Sequence, residues 1–318
     1  MSIHNKHSQF EQGTMGGTIF GIISDGETLR PAAGDVSIAA GLHRALTTLP
    51  EGVPITILVH GFKWSPFAAD LGDATRNPLS EIFAPTPRSR CFKVVSWPAG
   101  LGFTSGPQAG LCIPFAWPAL SPATLGRVPT SGFREIYERA GEAGAALARL
   151  VRLIHVIAPE RAVDVVAHSL GARVALQAIT HGARFDRVVF LSGAEGEAAA
   201  RAVLDSAPGT DFFNVTTRAN AFYDALFALS VPCSGKTLGR MQGPEHMVSI
   251  QMDRWPVRDA LAQLGHPIAA PDRRMCHWST YTAKGALRFY GSLLRERSTL
   301  TRERVADHIE TISRVRAL

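Results

Sequence analysis

Short runs of consecutive apolar residues alternate along the chain with stretches in which apolar residues recur every three or four positions. The apolar runs, each of strand length, are residues 17–23, 55–59, 91–96, 163–167, 187–192 and 211–217. Such runs are typical of strands covered on both faces, as in a parallel sheet. The helical spacing occurs in residues 36–49, 133–158, 171–181, 222–229 and 282–294. This alternation predicts parallel βαβ units in a single α/β sheet.

Residues 98–132 interrupt the pattern. Pro and Gly recur there among large apolar side chains, and charged residues are almost absent. We expect a loop-like insertion that forms a small cap over a pocket, although a long loop packed on the body of the protein would have the same composition. A C-terminal helical tail is expected at about residues 299–318, where apolar residues share one helical face. Residues 1–318 are expected to form one domain that includes both.

The composition excludes several classes of protein. Of the 318 residues, 46% are hydrophobic and 19% are charged, which argues against disorder. No apolar run approaches the roughly 18 residues of a membrane span, and residues 1–17 are too polar for a secretory signal peptide. The four cysteines lack metal-site or disulfide spacing, which favours a cytoplasmic protein. The net charge of +6 comes with scattered arginines, so we expect no nucleic-acid partner.

The most informative stretch surrounds Ser169. A valine-rich run ends at Ala167, the serine follows two positions later, and Gly171 opens a stretch of helix-forming residues. A strand that enters a helix through so tight a turn exposes the serine hydroxyl and leaves room only for small residues beside it. An ordinary serine in a strand-to-helix turn is the alternative. The motif A-H-S-L-G resembles the nucleophile elbow of the α/β-hydrolase superfamily, whose usual form is G-x-S-x-G.

A second stretch carries the same resemblance. His277 begins the segment H-W-S-T-Y, which is similar to the His-Trp-x-x-Tyr segment of bacterial α/β-hydrolases of esterase or lipase type. The resemblance implies an α/β-hydrolase fold, with a mostly parallel central sheet flanked by helices and a small inserted cap. It also implies that Ser169 is the nucleophile and that His277 is its base. A structural histidine that caps a helix is the alternative for His277.

The acid of a catalytic triad lies between the serine and the histidine in this superfamily. Asp224 is expected in that role because it lies beyond the strand predicted at residues 211–217, and because similar hydrolases carry an acid in this segment. Glu195 and Glu197, which follow the preceding strand, remain the alternative. Asn220 could also orient an imidazole, but it has no charge that would stabilise the imidazolium.

The segment H-G-F at residues 60–62 resembles the part of the superfamily that contributes to the oxyanion hole. We expect the backbone N–H groups of Phe62 and Leu170 to stabilise the negative charge of a tetrahedral intermediate. Leu170 also lies at the start of a helix, whose dipole favours that charge. The side chains expected to line the substrate pocket are Trp64, Phe67, Phe103, Trp117, His168 and Trp278.

With the resemblance, these residues predict a serine hydrolase that cleaves a carboxylic ester through an acyl-enzyme and needs no metal or organic cofactor. Its expected partner is a small-molecule ester. The alternatives are an acyltransferase with the same triad, a lipase with a lipid-facing lid, and a non-catalytic protein that binds a ligand in the same pocket.

Overall fold

The computed structural model describes residues 19–26, 28–67, 78–121, 132–231, 236–241, 244 and 246–315. At its centre is an eight-stranded sheet with the strand order β2-β1-β4-β3-β5-β6-β7-β8. Among the described strand pairs, only β1 and β2 are antiparallel. The strands are β1 (Ile22–Asp25), β2 (Thr28–Pro31), β3 (Ile55–Val59), β4 (Leu111–Ala116), β5 (Val163–His168), β6 (Arg187–Leu191), β7 (Asp211–Thr216) and β8 (Met247–Gln251).

Helices occupy most of the connections between the strands. They are α1 (Ile38–Thr47), α2 (Trp97–Gly100), α3 (Phe133–Ile157), α4 (Gly171–Thr180), α5 (Glu197–Asp205), α6 (Ala221–Ser230), α7 (Trp255–Gln263), α8 (Ser279–Thr282), α9 (Ala286–Arg295) and α10 (Arg302–Val315). The apolar faces of α1, α3 and α4 pack on one side of the sheet, and those of α2, α7 and α9 pack on the other.

Coverage on both faces explains the uninterrupted apolar runs. In β3, Ile57 contributes to the core on the α3 side, while its neighbour Leu58 contributes to the core on the α9 side. Successive side chains of a strand point to opposite faces, so both positions must be apolar when both faces are buried. The mostly parallel sheet with flanking helices confirms the predicted α/β-hydrolase fold.

The structure corrects the prediction for the segment before α3. Residues 91–96 form turns rather than the predicted strand, and the Ser96 hydroxyl caps α2 by accepting a hydrogen bond from the Ala99 N–H at 3.1 Å. The strand at this point of the chain is β4, which is fully buried between β1 and β3. The expected position of the cap at residues 98–132 is therefore wrong for residues 111–116. Residues 122–131 of that segment lie outside the described residues.

Several elements fall where the sequence predicted none, among them β2, α2, α5 and β8. The C-terminal helix α10 buries Val305 and lies against α7 and β8, so its apolar face contacts the same domain. Within the described residues, no helix is both long enough and apolar enough to cross a bilayer.

The parallel strands β3, β5, β6 and β7 all end at one edge of the sheet, where the predicted site residues follow them.

Candidate active site

Ser169 lies in a strained turn between β5 and α4. Its φ angle is 54°, in the left-handed region that non-glycine residues rarely adopt. Hydrogen bonds hold the turn on both sides, because the Ser169 N–H donates to the Leu191 carbonyl at 3.0 Å and the Ser169 carbonyl accepts from the Ala194 N–H at 2.9 Å. The predicted strand, tight turn and helix are thus observed around this serine. Strain maintained by the surrounding structure is typical of functional positions.

Two glycines allow the chain to pass close to the turn. A Cβ atom at Gly61 would lie 2.6 Å from the Ser169 Cβ and 2.9 Å from the His168 carbonyl oxygen. A Cβ atom at Gly171 would lie 2.6 Å from the Val59 carbonyl oxygen. Neither position has room for a side chain. The loop after β3 therefore lies directly against the serine, as the H-G-F segment predicted.

His277 contacts Asn220 rather than the predicted acid. The His277 Nδ1 lies 2.6 Å from the Asn220 Oδ1, and the Asn220 Nδ2 donates to the Asp224 Oδ1 at 3.0 Å. The prediction that Asp224 binds the histidine directly is therefore wrong in its geometry, because the Asn220 amide lies between them. Asn220 ends a short 3-10 turn after β7, and Asp224 lies one helical turn later in α6.

The carboxyl group of Asp224 fixes the orientation of that amide. An ionised carboxylate can only accept hydrogen bonds, so it must face the Asn220 NH₂ group and leave the Oδ1 to face His277. The Oδ1 in turn requires a proton on the His277 Nδ1, which leaves a lone pair on the Nε2. Burial raises the pKa of Asp224 to about 6, and the Arg240 guanidinium, 4.0 Å away, opposes that rise.

The two alternative acids, Glu195 and Glu197, form their hydrogen bonds and ion pairs with residues other than His277. Glu195 is buried, accepts a hydrogen bond from the Tyr137 hydroxyl at 2.6 Å and pairs with the Arg173 guanidinium at 2.8 Å. Glu197 pairs with Arg201 on the surface of α5. Neither carboxylate contacts His277 in the described structure. A buried acid whose partners are a tyrosine and an arginine holds α3, α4 and β6 together.

The imidazole of His277 is held in its neutral form. Burial lowers its pKa well below the usual value, and the His168 ring and the Lys93 ammonium lower the pKa further. The His168 Nε2 donates to the His277 carbonyl at 3.1 Å, and the Tyr223 ring stacks on the His277 ring at 4.8 Å between centroids. Burial also lowers the pKa of His168 to about 4, so this pair of rings carries no charge at neutral pH.

Two backbone N–H groups near Ser169 are free to bind an anion. Within the described residues, the N–H groups of Phe62 and Leu170 donate to no protein acceptor. Buried backbone donors are nearly always paired, so two unpaired donors beside one serine indicate a site for an oxygen from a ligand. These are the two groups that the sequence predicted for the oxyanion hole.

His60 is a site residue whose role the sequence did not reveal. Its Nε2 accepts a hydrogen bond from the Trp117 N–H at 3.0 Å, and its carbonyl accepts one from the Trp117 indole at 2.9 Å. Burial lowers the pKa of His60 to about 3, so the ring stays neutral. His60 thereby ties the loop of Phe62 to the end of β4. A histidine beside a glycine after a strand was the available signal, but its partner Trp117 directly follows a strand that was not predicted.

One cavity of about 360 Å³ contains Ser169 and His277 together with Asn220 and Asp224. Between the Ser169 and His277 side chains the described structure contains no hydrogen bond, and such catalytic contacts often form only when substrate binds.

Of the predicted pocket residues, Trp64, His168 and Trp278 line the cavity. The prediction is wrong for three others that pack elsewhere in the protein, namely Phe67, Phe103 and Trp117. The remaining lining is mostly apolar: Phe62, Leu79, Ile82, Phe133, Leu226 and Phe227.

No group of three or more His, Cys, Asp or Glu side chains in the described residues is arranged to hold a metal ion. The cavity instead presents a hydroxyl, an imidazole and two unpaired N–H groups. Such a set can attack a carbonyl carbon and stabilise the resulting oxyanion.

Replacing Gly61 by alanine should damage this arrangement. The added Cβ would contact the Ser169 Cβ and a backbone oxygen, so the loop carrying the Phe62 N–H must move. A displacement of about 1 Å can reduce a rate by roughly 10²-fold, so Gly61→Ala should lower kcat on an activated ester by between tenfold and 10²-fold. Gly209→Ala is the matched control, because a Cβ there would meet nothing within 4 Å. Equal activity of both variants would contradict the proposed oxyanion site.

No family model and no curated protein sequence matches the chain. Among solved structures, a predicted CIB-like hydrolase from Thermoplasma acidophilum is similar, with a TM-score of 0.32 and 12% sequence identity, over 78% of this chain and 89% of that chain. The α/β-hydrolase fold of this chain rests on its own strand order and on the turn that carries Ser169.

Proposed function

We propose that this protein is a serine hydrolase that cleaves carboxylic esters through an acyl-enzyme. The observation that carries the proposal is the strained turn at Ser169, which lies in one cavity with His277 and beside two unpaired backbone N–H groups. A nucleophile, a neutral base and an oxyanion site are the three components that acyl transfer requires. The apolar lining of the cavity suits a hydrocarbon acyl chain.

In the first half of the reaction, the Ser169 Oγ attacks the ester carbonyl and the His277 Nε2 takes the hydroxyl proton. The carbonyl oxygen becomes negative and binds the N–H groups of Phe62 and Leu170. The tetrahedral intermediate then collapses, the bond to the alcohol breaks, and the imidazolium returns its proton to the leaving oxygen. Asn220 accepts a hydrogen bond from the His277 Nδ1–H throughout and so keeps the Nε2 directed at the proton being transferred.

In the second half, a water molecule attacks the acyl-enzyme. The His277 Nε2 takes a proton from the water, a second oxyanion forms in the same site, and Ser169 leaves with the proton that the imidazolium returns. The product is a free carboxylic acid. An acyltransferase would use an alcohol or an amine in place of that water, so products formed with added acceptors distinguish the two reactions.

A fluorophosphonate probe tests the proposed function directly. The activated serine oxygen loses its proton and bonds to the phosphorus of the probe as the P–F bond breaks and fluoride leaves, and we expect mass spectrometry of the full chain to find the label on Ser169 alone. Ser192 lies in the same cavity and also has a positive φ, of 48°, so it is an internal control. Its hydroxyl contacts the Thr280 hydroxyl at 3.1 Å and, within the described residues, forms no hydrogen bond with a histidine. Label on Ser192, or none on Ser169, would contradict the proposal.

A further inference from the structure

A lysine lies in the cavity close to the proposed base. Lys93 precedes α2 and is held by a hydrogen bond from the Tyr281 hydroxyl to its carbonyl at 3.1 Å. Its ammonium lies 4.0 Å from the centroid of the Trp278 ring, and the Trp278 ring is 5.8 Å from that of His277. The lysine therefore lies at the wall of the cavity with its ammonium against an aromatic ring.

The charge of Lys93 has no carboxylate partner within the described residues. Asp224 is the one carboxylate in the described lining of the cavity, and it is already bonded to Asn220 and faces Arg240. In the described lining, Lys93 therefore places an ammonium without a carboxylate partner beside a mostly apolar wall.

The position of the Lys93 ammonium disfavours the proposed reaction unless a negatively charged group binds beside it. The Lys93 ammonium lowers the pKa of His277, together with burial and the His168 ring. In the proposed reaction His277 must become an imidazolium, so a nearby cation raises the free energy of the transition state. A substrate that carried its own negative group to Lys93 would cancel that unfavourable term and add a favourable contact.

We propose that Lys93 binds a carboxylate group on the substrate, so that the preferred substrates are esters that carry a free carboxylate at the far end of the acyl chain. This inference rests on the proposed ester hydrolysis and specifies its substrate class. One ammonium matches one negative charge, and the Trp278 ring excludes water from one side of the ion pair. The apolar wall accommodates the methylene groups between the two ends of the substrate.

The test compares two esters of the same shape. The mono-p-nitrophenyl ester of adipic acid carries a terminal carboxylate, and p-nitrophenyl 6-methylheptanoate carries an isopropyl group in its place. Shorter half-esters are unsuitable because they cleave themselves by forming cyclic anhydrides. We expect the wild-type protein to hydrolyse the half-ester with a kcat/KM about tenfold higher than that of the uncharged ester, a factor typical of a partly exposed charge pair.

Three variants make the test specific to Lys93. Lys93→Met should remove the preference, since kcat/KM falls for the half-ester and rises for the uncharged ester as the imidazolium loses its repulsive neighbour. Lys93→Arg keeps the charge and should keep the preference. Arg184→Met removes one positive charge at the opposite end of the sheet, before β6, and should also keep it.

Each outcome decides the inference. A preference that survives in Lys93→Met, or that falls equally in Arg184→Met, overturns the carboxylate site while ester hydrolysis stands. A wild-type preference for the uncharged ester overturns it as well. If the wild-type protein hydrolyses neither ester and the fluorophosphonate probe does not label Ser169, both the proposed function and this inference fail.

Discussion

Ser169→Ala should lower kcat for p-nitrophenyl butyrate by about 10⁴- to 10⁶-fold, the loss typical of removing the nucleophile of a catalytic triad. The remaining site would still bind the ester and would still present the N–H groups of Phe62 and Leu170. It would lack the oxygen that forms the acyl-enzyme. The measurement is initial release of p-nitrophenol at saturating ester, with the melting temperature recorded for each protein.

The control for Ser169→Ala is Ser192→Ala. Both serines follow a parallel strand, both have a positive φ, and both line the cavity, but only Ser169 adjoins the two unpaired N–H groups. Both variants also remove the same atom from a strained position, so any general effect on folding should be similar. If Ser169→Ala retains more than a few per cent of the activity, or if Ser192→Ala is equally inactive, Ser169 is not the nucleophile.

The turn at Ser169 was predictable because local sterics determine it. A fully buried strand that enters a helix within two residues leaves space only for small neighbours, and the sequence shows those neighbours at Ala167 and Gly171. The close approach of Gly61 was predictable only through the resemblance. Contacts between segments that lie more than 100 residues apart leave no periodic pattern in the sequence.

The strand β4 was missed for an identifiable reason. Pro114 lies within it and Gly110 precedes it, and both residues argue against a central strand. The pairing of β4 with β3 overrides that local preference, because all six of its residues are buried there. Residues 91–96 show the opposite error, since Val94 is buried and Val95 packs against the core without forming a strand, while Phe92 is exposed.

The partner of His277 could not be chosen from composition. A carboxylate was expected because it stabilises an imidazolium, and Asp224 satisfied that rule in chain order. The helix α6 begins at Ala221 and places Asp224 one turn beyond Asn220, so the two side chains lie one behind the other when seen from His277. Which of them meets the imidazole depends on the orientation of α6, and the sequence does not encode that orientation locally.

Because Asn220 lies between His277 and Asp224, we expect the second large loss of activity from a change at Asn220. Asn220→Ala should lower kcat by about 10³-fold, because the His277 Nδ1–H loses its acceptor and the productive tautomer is no longer favoured. Asp224→Asn should cost less, about tenfold to 10²-fold, because its charge acts on the imidazolium through the intervening amide rather than directly. If the acid contacted the histidine directly, the order of these two effects would be reversed.

The folded state should tolerate Asp224→Asn well. Burial raises the pKa of Asp224 to about 6, which means that the fold disfavours the charged form of this carboxyl group. At pH 7 the neutral amide removes that unfavourable charge, so the melting temperature should not fall. A loss of activity in this variant is then an effect on the imidazole and not on folding.

Exchanging the two side chains gives the sharpest test. Asn220→Asp alone would place a second carboxylate within hydrogen-bonding distance of Asp224, and two such groups cannot both ionise freely. The double variant Asn220→Asp/Asp224→Asn avoids that conflict, because a carboxylate then accepts the His277 Nδ1–H directly and an amide behind it donates to the carboxylate. We expect the double variant to recover to within about tenfold of the wild-type kcat, well above Asn220→Ala. If the double variant is as inactive as Asn220→Ala, the hydrogen bonds from His277 through position 220 to position 224 do not support catalysis.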